Sequence, residues 1–281
     1  MSIHKLSFLK NSKYKLSISF LIYFLPACNN SNSIKYDEKK ILNSVATLNY
    51  KVISFYPHDT TAFTEGLVFH KNQLFESTGS PDDLPQTKSI AGPINLRTGK
   101  IIKKIELDRY KYFGEGIVFL RDELIQLTYK NKIGFIYNAK TFKKIGQFYY
   151  QNKEGWGLTT DGTNLIMSDG TNRIRYFDPI FFNTVKILNV TENNIPEVNL
   201  NELEYIDKFI YANVFTTNFI VKIDPETGNI VGKVDLSVLA KDSKTINPNS
   251  LEMNGIAYDS TTEKIFITGK FWPRIYVIQF L

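Results

Sequence analysis

Residue types suited to chemistry recur in similar short settings along the chain. Glu65 stands in Phe63-Thr64-Glu65-Gly66, Glu115 in Phe113-Gly114-Glu115-Gly116, Trp156 in Glu154-Gly155-Trp156-Gly157 and Asn201 in Asn201-Glu202-Leu203-Glu204; Asn254-Gly255 repeats the setting a fifth time. Each of these opens an apolar stretch. The stretches that follow end at Tyr129, Asp169, Asn213-Val214-Phe215 and Gly269-Lys270-Phe271-Trp272. Brought together, they make an aromatic-walled pocket holding several carboxylates, an amide and one lysine, the profile of a small-molecule or peptide-end site. Asp161 and Asp169 read instead as turn carboxylates.

Other chemistries are poorly supplied. Once an N-terminal export segment is removed, only His58 and His70 remain of three histidines, and the single cysteine, Cys28, sits at the processing point. A zinc site would have to draw most of its ligands from Asp and Glu, which is uncommon. Nucleophilic catalysis through a Ser-His or Cys-His pair is equally short of parts. No metal and no cofactor are expected, and carboxylates, lysine and aromatics must carry any reaction.

The elements that must position these residues come from a repeating unit: a Gly or turn residue, an apolar strand, a polar turn and a second strand. Its copies run from Glu65-Gly66-Leu67 to Leu74-Phe75-Glu76, from Glu115-Gly116-Ile117 to Leu124-Ile125-Gln126, and from Trp156-Gly157-Leu158 to Leu165-Ile166-Met167. Two more run from Asn201-Glu202-Leu203 to Phe209-Ile210-Tyr211 and from Asn254-Gly255-Ile256 to Ile265-Phe266-Ile267. A period of roughly 40–50 residues is the mark of a propeller. Asn95-Leu96-Arg97-Thr98-Gly99 and Asp224-Pro225-Glu226-Thr227-Gly228 carry hairpin-turn chemistry in the second half of the unit. The fifth copy lacks an outer strand, and Tyr50 to Phe55 has no unit of its own. The expectation is an all-β, five-bladed β-propeller over residues 49–281, closed by that N-terminal strand, which removes an open sheet edge. The alternative is a sandwich of evenly spaced strands. Only Val238 to Lys244 has a helical rhythm.

Residues 1–27 carry Lys5, Lys10, Lys13 and Lys15, then the short apolar run Leu16 to Leu25 and Pro26-Ala27 before Cys28. The run is about half of what a bilayer span needs. This describes a lipoprotein export signal over 1–27, with Cys28 acylated and residues 28–48 as a tether. The expected location is the bacterial cell envelope, periplasm-facing or at the outer membrane. Of 34 basic residues four leave with the signal; the 30 left against 28 acidic ones give +2, which is no argument for nucleic acid. A monomer is expected.

The segments Phe63-Thr64-Glu65-Gly66-Leu67, Phe113-Gly114-Glu115-Gly116, Glu154-Gly155-Trp156-Gly157-Leu158-Thr159-Thr160-Asp161-Gly162, Asn201-Glu202-Leu203-Glu204-Tyr205, Tyr211-Ala212-Asn213-Val214 and Thr268-Gly269-Lys270-Phe271-Trp272-Pro273 resemble, in order over residues 50–281, the plant and bacterial glutamine cyclotransferase family. The resemblance implies conversion of the N-terminal glutamine of peptides and proteins to pyroglutamate with release of ammonia, without catalytic metal. It places the acid/base glutamate on Glu115, the family's asparagine and lysine on Asn201 and Lys270, and pocket aromatics on Phe63, Phe113 and Trp156. Glu65 stands where many members have Gln, Tyr129 and Phe215 where Trp is expected, and Pro81 to Ser89 replaces a shorter loop that usually carries an Arg. Glu65, Tyr129 and Phe215 complete the expected substrate-binding set. An alternative is a non-catalytic envelope propeller that binds peptides or glycans.

Overall fold

The computed structural model describes residues 45–129 and 131–281. The expected export signal, Cys28 and all of the tether up to residue 44 lie outside the described residues.

Five antiparallel sheets follow one another along the chain. The first is built from Thr64–His70, Gln73–Thr78 and Ile90–Asn95, with Lys100–Ile101 and Ile105–Glu106 at its edge. The second takes Gly114–Leu120, Glu123–Thr128, Ile133–Asn138 and Lys144–Tyr149, and the third Leu158–Thr160, Leu165–Met167, Arg173–Phe177 and Thr184–Asn189. The fourth comprises Leu200–Ile206, Phe209–Val214, Phe219–Ile223 and Ile230–Asp235, and the fifth Met253–Asp259, Lys264–Gly269 and Arg274–Phe280. The first strand of each sheet touches the first strands of its two neighbours, and the fifth touches the first, so the inner strands form a closed ring. This is a five-bladed propeller. Tyr50–Pro57 pairs antiparallel with Arg274–Phe280 and supplies the outer strand of the fifth blade, as the orphan strand in the sequence predicts.

Burial follows radius. The inner strand Gly114–Leu120 is buried at every residue, because it packs between two blades, while the outer strand Lys144–Tyr149 buries only Phe148. The apolar core is correspondingly divided into five clusters, one at each blade–blade interface. Leu67 and Leu74 of the first blade meet Phe266 and Ile275 of the fifth, for example, and Ile166 and Ile174 of the third meet Leu203 and Ile210 of the fourth. Hairpin turns use the expected chemistry: Asp224 accepts from the N–H of Glu226 and from Thr227 Oγ1, and Gly228 adopts a left-handed φ of +76°.

Two features were not expected. Ala46–Thr47, inside the span assigned to the tether, pairs in parallel with Ile230–Asp235 and extends the fourth blade. Thr191–Glu192 and Ile195–Pro196 form a small hairpin between the third and fourth blades. The helical rhythm near Val238 becomes a helix over Ser237–Ile246 that caps the fourth interface through Leu239.

Candidate active site

Four of the five inner strands carry an irregularity at the entrance, between Thr64 and Gly66, Gly114 and Ile117, Leu200 and Leu203, and Met253 and Ile256. Such bulges re-aim a side chain. They place Glu65, Glu115, Asn201 and Asn254 at equivalent positions around the ring, with Trp156 at the corresponding position of the third blade. The next position is Gly66, Gly116, Gly157 or Gly255 in four blades and Glu202 in the fourth. Those glycines are required by proximity: a Cβ at Gly66 would lie 2.8 Å from Ile117 N, and one at Gly157 would collide with the Asn201 carbonyl oxygen.

All nine predicted pocket residues, Phe63, Glu65, Phe113, Glu115, Tyr129, Trp156, Asn201, Phe215 and Lys270, line one cavity of about 200 Å³, joined by Pro81. Glu65, Glu115, Asn201 and Lys270 are buried. The aromatics are half-buried and lean on one another edge-on or tilted: Phe63 on Phe113 (ring centroids 6.1 Å apart), Phe113 on Tyr129 (5.7 Å) and Trp156 on Phe215 (5.7 Å).

Lys270 is fixed from several sides. Its Nζ lies 2.9 Å from Glu65 Oε1, 4.4 Å from the Phe63 ring centroid and 5.2 Å from that of Phe215. The following residue, Phe271, holds a left-handed φ of +60°, a conformation that costs on the order of 1 kcal/mol or more. Hydrogen bonds from its N–H to the Ala62 carbonyl and from Asn247 Nδ2 to its own carbonyl hold it there. The other Glu65 oxygen accepts from Asn254 Nδ2 at 3.0 Å, and the same nitrogen also donates to the Thr64 carbonyl. Asn254 therefore serves the neighbouring blade.

Glu115 has a different environment. Among the described residues no hydrogen-bond donor reaches its carboxyl. Burial, then the nearby Glu65, push it well above the ordinary carboxylate range, against the pull of Lys270. Burial pushes Glu65 up as well, against Lys270 and the Asn254 bond. Glu154 accepts from Trp156 Nε1 at 3.1 Å and from the Tyr129 hydroxyl, so it orients two walls of the cavity. The Asn201 side-chain oxygen is buried with no partner among the described residues.

The remaining histidines lie elsewhere. His58 is buried below the rim, its Nε2 at 3.1 Å from both Glu76 oxygens and its Nδ1 donating to the Trp272 carbonyl at 2.8 Å. Burial alone would lower its pKa; Glu76 outweighs that and holds it above its ordinary value. Thr64 Oγ1 donates to Glu76 at 2.7 Å, tying this pair to the strand that carries Glu65. His70 stacks on Phe119. Among the described residues no three His, Cys, Asp or Glu side chains gather as metal ligands would. Asp161 caps a turn through the N–H groups of Thr163 and Asn164. Asp169 does the same for Thr171. Pro81 was absent from the predicted set; its one signal was membership of the loop that departs from the family pattern.

A family model described as glutamine cyclotransferase matches residues 23–280. Over 274 residues the chain is 35% identical to a glutaminyl-peptide cyclotransferase of Arabidopsis thaliana, covering 94% of this chain and 80% of that protein. The crystal structure of Myxococcus xanthus glutaminyl cyclase is similar with a TM-score of 0.77 and 32% identity, covering 84% of this chain and 98% of that one.

Proposed function

The chain belongs to the glutamine cyclotransferase family, and from that premise we propose that it closes the N-terminal glutamine of peptides into pyroglutamate, with Glu115 as the acid/base group and no metal. The observation that carries this reading is the pairing in one cavity of two buried carboxyls with opposite partners: Glu65 tied to Lys270 and Asn254, Glu115 without a donor among the described residues.

The reaction needs little more. The substrate's α-nitrogen attacks its own side-chain amide carbon, so both reactants are already tethered and the pocket has to hold the folded-back conformer. The α-ammonium, with an ordinary pKa of about 8, first releases one proton to water, and Glu115 takes a second from the attacking amine as the C–N bond forms. The amide oxygen then carries negative charge, which the Lys270 ammonium and the Asn201 amide stabilise. Glu115 returns its proton to the amide nitrogen, which leaves as ammonia. A carboxyl held above its ordinary range by burial suits both transfers. Glu65 holds Lys270 in place, and the aromatic walls favour the incoming ammonium.

Incubation of the purified protein with a Gln-initiated peptide should release ammonia and remove its mass from the peptide. The activity should survive exhaustive chelation. No turnover of any Gln-initiated peptide leaves the non-catalytic binding propeller as the reading, and activity lost to EDTA and restored by zinc overturns the metal-free one. The lipid anchor belongs to the same proposal, with the enzyme held at the cell envelope through Cys28; Cys28→Ser should abolish palmitate labelling, and labelling that persists would exclude it.

A further inference from the structure

A groove of about 490 Å³ opens beside the catalytic cavity and shares Pro81, Phe113 and Tyr129 with it. The cavity itself, at about 200 Å³, has room for little more than the glutaminyl residue, about seven waters' worth of liquid at roughly 30 Å³ each. A peptide whose first residue occupies it must leave through a neighbouring opening, and the shared walls make the groove continuous with the reacting end.

One side of the groove is Ser80 to Asp83, the start of the loop that runs on to Ser89, and the other is Arg109 to Tyr112. Arg109 joins the two: its guanidinium donates to the carbonyls of Pro81 (3.1 Å), Pro85 (2.7 Å) and Thr87 (2.9 Å). A planar fork bonded to three backbone oxygens fixes a loop that has no regular structure of its own. The wall is therefore preformed. Tyr110 stands on its rim at 92% exposure, an aromatic side chain presented to solvent without covering anything.

Charges on the two sides differ in how they are engaged. The Arg109 donors point into the loop, and Lys111 faces Asp108 at 3.6 Å. Asp82 and Asp83 are exposed on the groove wall and form no ion pair among the described residues. A side chain entering the groove thus meets acceptors and aromatic faces, a combination that favours a cation.

We propose that this groove is the subsite for the second and third residues of the substrate, and that it selects peptides carrying a basic side chain there. The inference rests on the cyclase reading. Its test compares kcat/KM for Gln-Lys-Ala-amide, Gln-Ala-Ala-amide and Gln-Glu-Ala-amide. The lysine peptide should exceed the glutamate peptide about 5-fold or more at low ionic strength, with the ratio shrinking in high salt. Asp82→Asn with Asp83→Asn should bring the ratio to within about 2-fold; both side chains are exposed, so the exchange is mild for the fold. Arg109→Met, which unties the wall, should raise KM for all three peptides more than it lowers kcat. Equal rates for the lysine and glutamate peptides in the unaltered protein, or a preference that survives the double substitution, would overturn the subsite while leaving the cyclase in place. Ammonia released from none of the three would instead remove the cyclase reading and the subsite with it.

Discussion

Glu115 and Glu202 occupy neighbouring positions in the repeating unit, both on inner strands, both buried, and both held well above the ordinary carboxylate range chiefly by desolvation. Their surroundings are opposite. Glu202 stands where the other blades have glycine, reaches across the channel from the fourth blade, and accepts from Leu67 N–H of the first (3.1 Å) and Ile256 N–H of the fifth (2.8 Å). Two residues on, Glu204 accepts from Tyr258 N–H at 2.9 Å and Thr159 Oγ1 at 3.3 Å. These carboxyls are satisfied by three backbone N–H groups and one hydroxyl of neighbouring blades and hold the ring together. Glu115, one step toward the rim, faces a cavity with no donor among the described residues. Burial and a raised pKa alone do not distinguish the two groups; the unfilled acceptors of Glu115 do.

The comparison breaks most visibly at Lys270. Lys270→Met strands Glu65 in the cavity without its cation, and removing one partner of a buried pair typically costs about 3–5 kcal/mol. Thermal unfolding should drop by on the order of 10 °C and turnover should collapse with it. Combining Lys270→Met with Glu65→Gln should recover most of the stability and none of the rate. A double variant no more stable than the single one would show that the pair is not the reason.

Gly157→Ala tests whether the ring positions are as equivalent as they look. The added methyl meets the Asn201 carbonyl oxygen, which is backbone and cannot step aside. A loss of about 1–3 kcal/mol is expected, accompanied by slower turnover because Asn201 and Trp156 both shift. An alanine variant with wild-type melting and rate would sever the tie between the glycine ring and the site.

Much of this was legible in the sequence. Five repeating units, four of them led by glycine, counted five blades, and Tyr50 to Phe55, a strand with no unit, announced the closure, because a propeller cannot leave that edge open. The ring of pocket residues followed from position within the unit. Partner choice was not legible. That Lys270 pairs with Glu65 and leaves Glu115 alone depends on rotamers and on distances between blades one, two and five, which no spacing encodes. Glu202 and Glu204 looked like two more pocket carboxylates; only the crossing of the channel showed whose N–H groups they satisfy. The same holds for Arg109, whose three carbonyl partners lie 22 to 28 residues away in a loop without periodicity.

The channel should also be visible in the pH dependence of stability. A carboxyl raised in the folded state keeps a proton that the unfolded chain releases near its ordinary value. That contribution is complete below the unfolded pKa and disappears as pH rises through the folded one. Burial pushes Glu204 up to about 8 and Glu202 higher than normal. Melting temperature should therefore decline from about pH 5 to about pH 8–9. Asp178 and Asp224, held low by turn N–H groups, and Asp235, held low by Ser237, act in the opposite sense at acid pH. Glu204→Gln should flatten the alkaline slope by a few degrees, and an unchanged slope would remove Glu204 as its source.

The most direct measurement sets Glu115→Gln beside Glu202→Gln, with rate and melting temperature taken on the same preparation of each. Glu115→Gln removes the proton acceptor and orphans nothing, so turnover should fall by roughly 10²–10⁴ while the melting temperature stays near that of the parent. Glu202→Gln puts an NH₂ against a backbone N–H, so it should lose about 1–3 kcal/mol, a fall of several degrees, while the folded fraction keeps turning over within about 10-fold of the parent. A folded Glu115→Gln protein that cyclises glutamine at near the parent rate would contradict the assignment of Glu115 as the acid/base group.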